Sequence, residues 1–183
     1  MGTSRNGARV GVTVPRSFVV HEVCGADDVD EVRRLVLEHA LVRASTPGVE
    51  FMRADALALP GPYVAPGGAL WLARATEGAA GVGCVALRRL DASMAEVKRM
   101  YVDPGWRGHG VGRALLETLI DKARALGYGT LRLGTLDDMT AAQALYRSLG
   151  FAPIERYRAD EMIDTRFYEM SLLRRQRPNR VAQ

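Results

Sequence analysis

The sequence predicts an α/β fold, a single mixed and largely antiparallel sheet of six to seven strands flanked by about four helices. Three observations carry this. Apolar, β-branched runs of strand length alternate with segments whose apolar residues recur at helical spacing. Two neighbouring runs, Ala69–Ala75 and Gly81–Leu90, are separated by a Glu77-Gly78 turn, which predicts an antiparallel hairpin. With 183 residues at 48% hydrophobic content, the chain makes one domain that can bury a core without disulfide or metal support.

The elements follow in order. Ser17–Val23 is β-branched and reads as a strand. The next segment carries Val29, Val32, Leu35 and Val36 at helical spacing, with Asp27 and Asp28 near its N-terminus. Ser45–Gly68 is turn-rich, with one short helix around Phe51–Leu59. After the hairpin, Met94–Val102 is a strand. A helix follows from about Gly110 to Leu126, with Val111, Leu115, Leu116, Leu119, Ile120 and Ala123 on one face and Gly127 as its stop. Thr130–Leu136 is a strand and Met139–Gly150 a helix ending on glycine. "FAPIERY" and "RFYEMSLL" close the sheet as two more strands.

The charge of +4 is misleading until it is located. Residues 1–16 hold Arg5, Arg9 and Arg16 and no acid; residues 174–183 hold Arg174, Arg175, Arg177 and Arg180 and no acid. Removing those seven from 25 basic residues leaves 18 against 21 acidic ones, so the domain between is net −3. Two disordered basic tails (1–16 and 174–183) around a domain at 17–173 are expected. A nucleic-acid binder would carry a basic stripe interleaved with aromatics on folded elements, and none is visible. Cys24 and Cys84 form no CxxC pair, and no signal peptide or long apolar run is present. A soluble, reduced, cytoplasmic protein with no membrane partner is expected.

The segment that bears chemistry is Arg107-Gly108-His109-Gly110-Val111-Gly112, between a strand and an amphipathic helix. Glycines let backbone approach a ligand and turn its N–H groups inward. The helix start adds unsatisfied donors and the positive end of a dipole. A Walker A loop is excluded, because the residue after Gly112 is Arg113, and GxGxG is not the dinucleotide fingerprint. Taken alone, the loop also reads as a turn with no ligand, or as a nucleotide-phosphate cradle.

Arg107-x-x-Gly110-x-Gly112 fits a Q/R-x-x-G-x-G/A signature. The strand "EVKRMYVDP" precedes it, and "AAQALYRSLGF" (Ala141–Phe151) follows as an A-x-x-LY-x-x-x-GF segment. In this order and spacing the chain resembles the GCN5-related N-acetyltransferase superfamily from about Ser17 to Leu173. The resemblance implies transfer of an acetyl group from acetyl-CoA to an amine, without a covalent enzyme intermediate and without a metal. It implies that the backbone of Arg107, Gly108, His109, Gly110, Val111, Gly112 and Arg113 binds the CoA pyrophosphate. It implies that Met100, Tyr101 and Val102 pair with pantetheine like an added strand, and that the Met100 amide faces the thioester oxygen. Ala142 and Tyr146 would complete the CoA site. Tyr146 matches the family tyrosine that protonates the leaving thiolate; as a bare sequence feature it is also an aromatic at helical spacing in a core. A homodimer through the last strands is a family habit.

The acceptor side is less defined. An amine with pKa about 10.4 needs about 4.6 kcal/mol to shed its proton at pH 7, while an α-amine near 7.8 needs about 1 kcal/mol. Glu96 stands where histone-acetylating members place a catalytic glutamate. In an unbroken strand Glu96, Lys98 and Met100 would share a face, with Glu96 either a base or a surface partner of Lys98. Asp137, Asp138 and Glu169 are alternatives acting through water. Arg53 could meet a carboxylate on the acceptor or stay solvated. One departure stands out: Met139 occupies the position where many members have a CoA-contacting Asn. His21, His39 and His109 show no metal-ligand spacing. The rival function is a degenerate module that senses acyl-CoA without turnover.

Overall fold

The computed structural model describes residues 16–43, 48–158 and 165–173. The expected tails lie outside them, apart from Arg16. Its guanidinium donates to Gly105 O and stands over the Trp106 ring, 5.5 Å from the centroid, so Arg16 belongs to the folded part.

The element order is β1 (Phe18–Glu22), α1 (Ala26–Val42), α2 (Val49–Leu57), β2 (Ala69–Ala75), β3 (Gly81–Arg89), β4 (Met94–Val102), a 3-10 turn at Pro104–Trp106, α3 (Val111–Ala125), β5 (Thr130–Leu136), α4 (Thr140–Ser148), β6 (Ala152–Ile154) and β7 (Thr165–Ser171). The strands form one seven-stranded sheet in the order β1-β2-β3-β4-β5-β7-β6. Its pairs are antiparallel apart from β4–β5, which is parallel.

Helices cover both faces, and that is why β2 and β3 are buried almost end to end. On one face α3 buries Val111, Leu115, Leu116, Leu119, Ile120 and Ala123 against Trp71, Val85, Leu87 and Val97. These six are the stripe the helical spacing predicts. On the other face α1 buries Val32, Leu35 and Val36 with Ala56, Leu59, Tyr63, Leu72, Cys84 and Tyr101. Arg33 ties α1 to the end of α2 by donating to Ala56 O (3.2 Å) and Leu59 O (3.4 Å).

Two irregularities position the site, and both are in β4. The first is a bulge. Cys84 pairs with Tyr101 and Ala86 with Lys98, so three residues of β3 face four of β4. Arg99 absorbs the extra residue at φ +52°, a left-handed conformation that costs a non-glycine residue about 1–2 kcal/mol. Asp55 on α2 offsets the cost: it accepts from Arg99 Nε and from the Tyr63 hydroxyl (2.8 Å). The second irregularity is a splay. β4 pairs with β5 only through Met94, Ala95 and Glu96, whereas Leu133–Leu136 of β5 pair with β7 alone. The edge of β4 from Val97 to Val102 is left open.

The bulge corrects the expectation that Glu96, Lys98 and Met100 share a face. Ala95 and Val97 pack on the α3 side, and so do Met100 and Val102, because the extra residue shifts the alternation by one. Glu96 therefore lies on the face opposite Met100.

Candidate active site

A groove of about 820 Å³ opens along the free edge of β4. Its walls are Met100, Tyr101 and Val102, the stretch from Trp106 to Arg113 apart from His109, and Thr140, Ala142, Leu145 and Tyr146 of α4. Asp103 N–H donates to Val82 O on β3 (3.0 Å), so strand alternation turns the N–H groups of Val102 and Met100 the other way, toward the groove. The Val102 carbonyl on that open side accepts from Arg107 Nε at 3.2 Å.

At the end of the groove α3 begins without a side-chain cap, so the N–H groups of its first turn keep no intrahelical acceptor. Gly108 and Gly110 have φ +79° and +85°, while a Cβ on either would meet nothing within 4 Å. The backbone turn, not space, demands glycine there. Gly112 is different: a Cβ would press on Leu145 Cδ2 and Met100 Cε, both at 3.2 Å. Close helix packing, rather than a special dihedral, requires its small size. Gly110→Ala should cost about 1–2 kcal/mol, lowering Tm by a few degrees in a thermal melt.

The other expected loop residues fall in place unevenly. Arg107 and Arg113 are exposed on the groove wall, and Arg113 donates to Ser148 Oγ (2.8 Å). His109 is not on the wall; its exposed ring meets Trp106 edge-on at 6.3 Å. Met139 lines the groove, and its sulfur accepts from Thr135 Oγ1 at 3.6 Å.

A second pocket, about 740 Å³, enters from the far side of the splay, between α2, β4, β5 and the start of β7. The two cavities share Met100, Tyr146, Met139, His39 and Arg43 in their walls. Tyr146 thus stands at the junction. Its ring packs edge-on against Phe151 (5.9 Å) and tilted to Tyr168 (6.3 Å), so the core role and the groove position coexist. Among the described residues its hydroxyl has no hydrogen-bond partner, and burial pushes its pKa well above the usual phenol range. It is a protonated, unspent donor at neutral pH.

His39 is the junction residue that sequence spacing did not single out. It stacks on Tyr101 (5.0 Å, 18°), and burial, then Arg43, Arg107 and Arg99, push its pKa down to about 4. It is a neutral imidazole at working pH.

Glu96 lines neither cavity. It is 1% exposed and accepts from Arg88 Nη2 (2.5 Å), the Tyr157 hydroxyl (2.8 Å) and Arg158 Nη1 (3.2 and 3.3 Å). Burial pushes its pKa up, but Lys98, Arg88 and the Tyr157 hydroxyl outweigh it, and the carboxyl is held below its ordinary range. A carboxylate so stabilised is a poor proton acceptor. The sequence could not supply these partners, because Tyr157 and Arg158 lie some sixty residues away, at the end of a run that reads as a strand and just beyond it.

The remaining candidates are engaged elsewhere. Asp137 pairs with Arg166 at 2.8 Å, Asp138 with Arg43 at 2.7 Å, and Glu169 with Arg132 at 2.7 Å. Arg53 pairs with Glu50 at 3.3 Å and does not line the second pocket; Arg43, Arg88, Lys98, Arg99 and Arg158 do. Among the described residues no group of three His, Cys, Asp or Glu could hold a metal ion, and no helix is long and apolar enough to cross a membrane.

An open, largely antiparallel sheet, split beside a glycine-capped helix, is the architecture of the acyl-CoA N-acyltransferases. Comparison with known proteins agrees. A family profile described as "Acetyltransferase (GNAT) family" matches residues 38–151. An uncharacterized N-acetyltransferase from Schizosaccharomyces pombe is 34% identical over 146 residues, covering 78% of this chain and 88% of that protein. A GNAT-family acetyltransferase from Staphylococcus aureus Mu50 superposes with a TM-score of 0.72 at 26% identity, covering 86% of this chain and all of that one. A protein from Salmonella typhimurium, solved with its cofactor acetyl-CoA, has the same fold (TM-score 0.62, 20% identity, 90% and 99% covered). The chain belongs to the GNAT acetyltransferase family, whose general activity is acetyl transfer from acetyl-CoA.

Proposed function

We propose that this protein binds acetyl-CoA and an amine together and transfers the acetyl group by direct attack of the amine nitrogen on the thioester carbonyl. The observation that carries this is the meeting of two cavities at Met100 and Tyr146, one leading to the glycine loop and one to the splay. The residues divide the work. Backbone amides from Arg107 through Gly108, His109, Gly110, Val111 and Gly112 to Arg113 take the pyrophosphate. The main chain of Met100, Tyr101 and Val102 takes the pantetheine arm as an added strand, with Ala142 and Tyr146 opposite. As the nitrogen–carbon bond forms, the Met100 N–H meets the negative charge on the thioester oxygen. As the carbon–sulfur bond breaks, the Tyr146 hydroxyl gives its proton to the leaving thiolate. The surplus proton of the amine passes to water, which suffices for an α-amine. Glu96 acts from behind the wall by fixing Arg88 and Arg158 rather than by taking that proton.

Thermal unfolding with acetyl-CoA, CoA, ATP and NAD tests the donor site. Acetyl-CoA at 100 times its Kd should add about 2.7 kcal/mol, a rise of several degrees. A response to acetyl-CoA and CoA alone is the expected result. An equal response to ATP would favour a general phosphate cradle, and no response would remove the donor site.

A further inference from the structure

The transfer leaves the ring of His39 without a task, although His39 stands where the two cavities meet. We propose that His39 receives the acceptor amine there, one ring nitrogen accepting an N–H of the attacking nitrogen; the inference rests on the transferase reading above.

Two contacts hold the ring in place. Its face stacks on Tyr101 of β4, with the centroids 5.0 Å apart and the planes at 18°. Arg43, at the C-cap of α1, pairs with Asp138 ahead of α4 at 2.7 Å, which ties the end of α1 across the splay. The cavities share five side chains: His39, Arg43, Met100, Met139 and Tyr146. Arg43 offers donors only, the two thioethers accept weakly, and the Tyr146 hydroxyl is the acid. Of the five, His39 alone carries a good acceptor for an N–H. Among the described residues neither of its ring nitrogens has a hydrogen-bond partner, so the fold does not spend them.

Charge gives this contact its value in the transition state. As the nitrogen–carbon bond forms, the nitrogen turns positive and its N–H groups become stronger donors. Arg43 on the same helix, Arg99 of β4 and Arg107 of the glycine loop bear on the ring, and they repel that charge. Burial first, then these arginines, push the imidazole pKa down to about 4, so at working pH a ring nitrogen keeps its lone pair. Tyr101, stacked on the ring, stays a neutral phenol because burial raises its pKa. The contact is therefore stronger in the transition state than in the ground state, and its loss falls on kcat. The proton itself still passes to water, because an imidazole of so low a pKa does not keep it.

The test reads thiol release with a panel of primary amines, in the wild type and three variants. His39→Phe keeps a ring to stack on Tyr101 and removes the acceptor. It should lower kcat about 10- to 100-fold, with the Kd for acetyl-CoA and the Tm nearly unchanged. His39→Gln keeps an acceptor and should recover most of that loss. His39→Ala should be slow as well, and should regain rate when imidazole is added, because the space it leaves opens to both cavities. A ring with a purely structural role would give neither the recovery by Gln nor the rescue by imidazole. Wild-type turnover in the Phe variant overturns the proposal, as do equal losses in Phe and Gln with no rescue of Ala. Where His39→Phe folds poorly, the imidazole rescue of His39→Ala decides alone. Loss of the transferase reading is separately visible: the wild type itself would fail to bind acetyl-CoA or release no thiol with any amine, and the proposal would fall with it.

Discussion

Tyr146→Phe is expected to lower kcat by about 100-fold or more while the Kd for CoA changes by less than about twofold. The phenyl ring keeps its contacts with Phe151 and Tyr168, so the junction of the cavities keeps its shape. Only the hydroxyl is lost. It has no partner among the described residues, so Tm should stay within about 2 °C. The pH dependence is equally specific. Burial holds the Tyr146 proton well above the usual phenol range, so the acid does not titrate under working conditions. His39, at about 4, is already neutral. The rise of kcat/KM with pH should therefore follow the pKa of the amine used, and shift when the amine is changed. Unchanged turnover in the variant would remove Tyr146 as the acid. A wild type that binds acetyl-CoA and releases no thiol with any amine would support the sensor reading.

Glu96→Gln is expected to destabilise the protein by about 3 kcal/mol, lowering Tm by roughly 10 °C. The side chain is 1% exposed and holds two arginines and a tyrosine, so its loss leaves cations crowded around a neutral amide. The figure sits at the low end for a buried pair because Arg88 and Arg158 still reach solvent. The sign of the pH effect follows from the depressed pKa. Glu96 binds fewer protons folded than unfolded, so its contribution is complete above its ordinary value of 4.5 and is lost as pH falls through the lower, folded value. Acid melts of the wild type should steepen below about pH 4.5, and the variant's should be flatter there. If Glu96 were the general base instead, kcat would collapse with Tm intact and the alkaline rise in rate would change shape.

Much of the fold was legible because it is written in short-range periodicity. The buried face of α3, the hairpin of β2 and β3, and the succession of the seven strands along the chain follow from side chains that alternate or recur every three to four residues. The glycine loop was legible for a related reason: a special backbone turn demands glycine at fixed positions. Tyr146 was singled out by the resemblance of its segment to the family pattern, since helical spacing alone reads it as a core aromatic. Arg88, Arg158 and His39 carried no such signal. An arginine in a strand looks the same whether it faces water or a pocket.

By itself, then, the sequence determined the strands, the helices and the glycine loop ahead of α3. Tertiary structure decided which way β4 faces. Arg99 can take up an extra residue only because Asp55 and Tyr63 wait on the other side of the sheet. That one residue turns Met100 toward the groove and Glu96 away from it. The partners that make Glu96 a buried counter-ion are assembled from β3 and the segment between β6 and β7. Local patterning specifies each element, but the charge and hydrogen bonding of a site depend on which distant elements end beside one another.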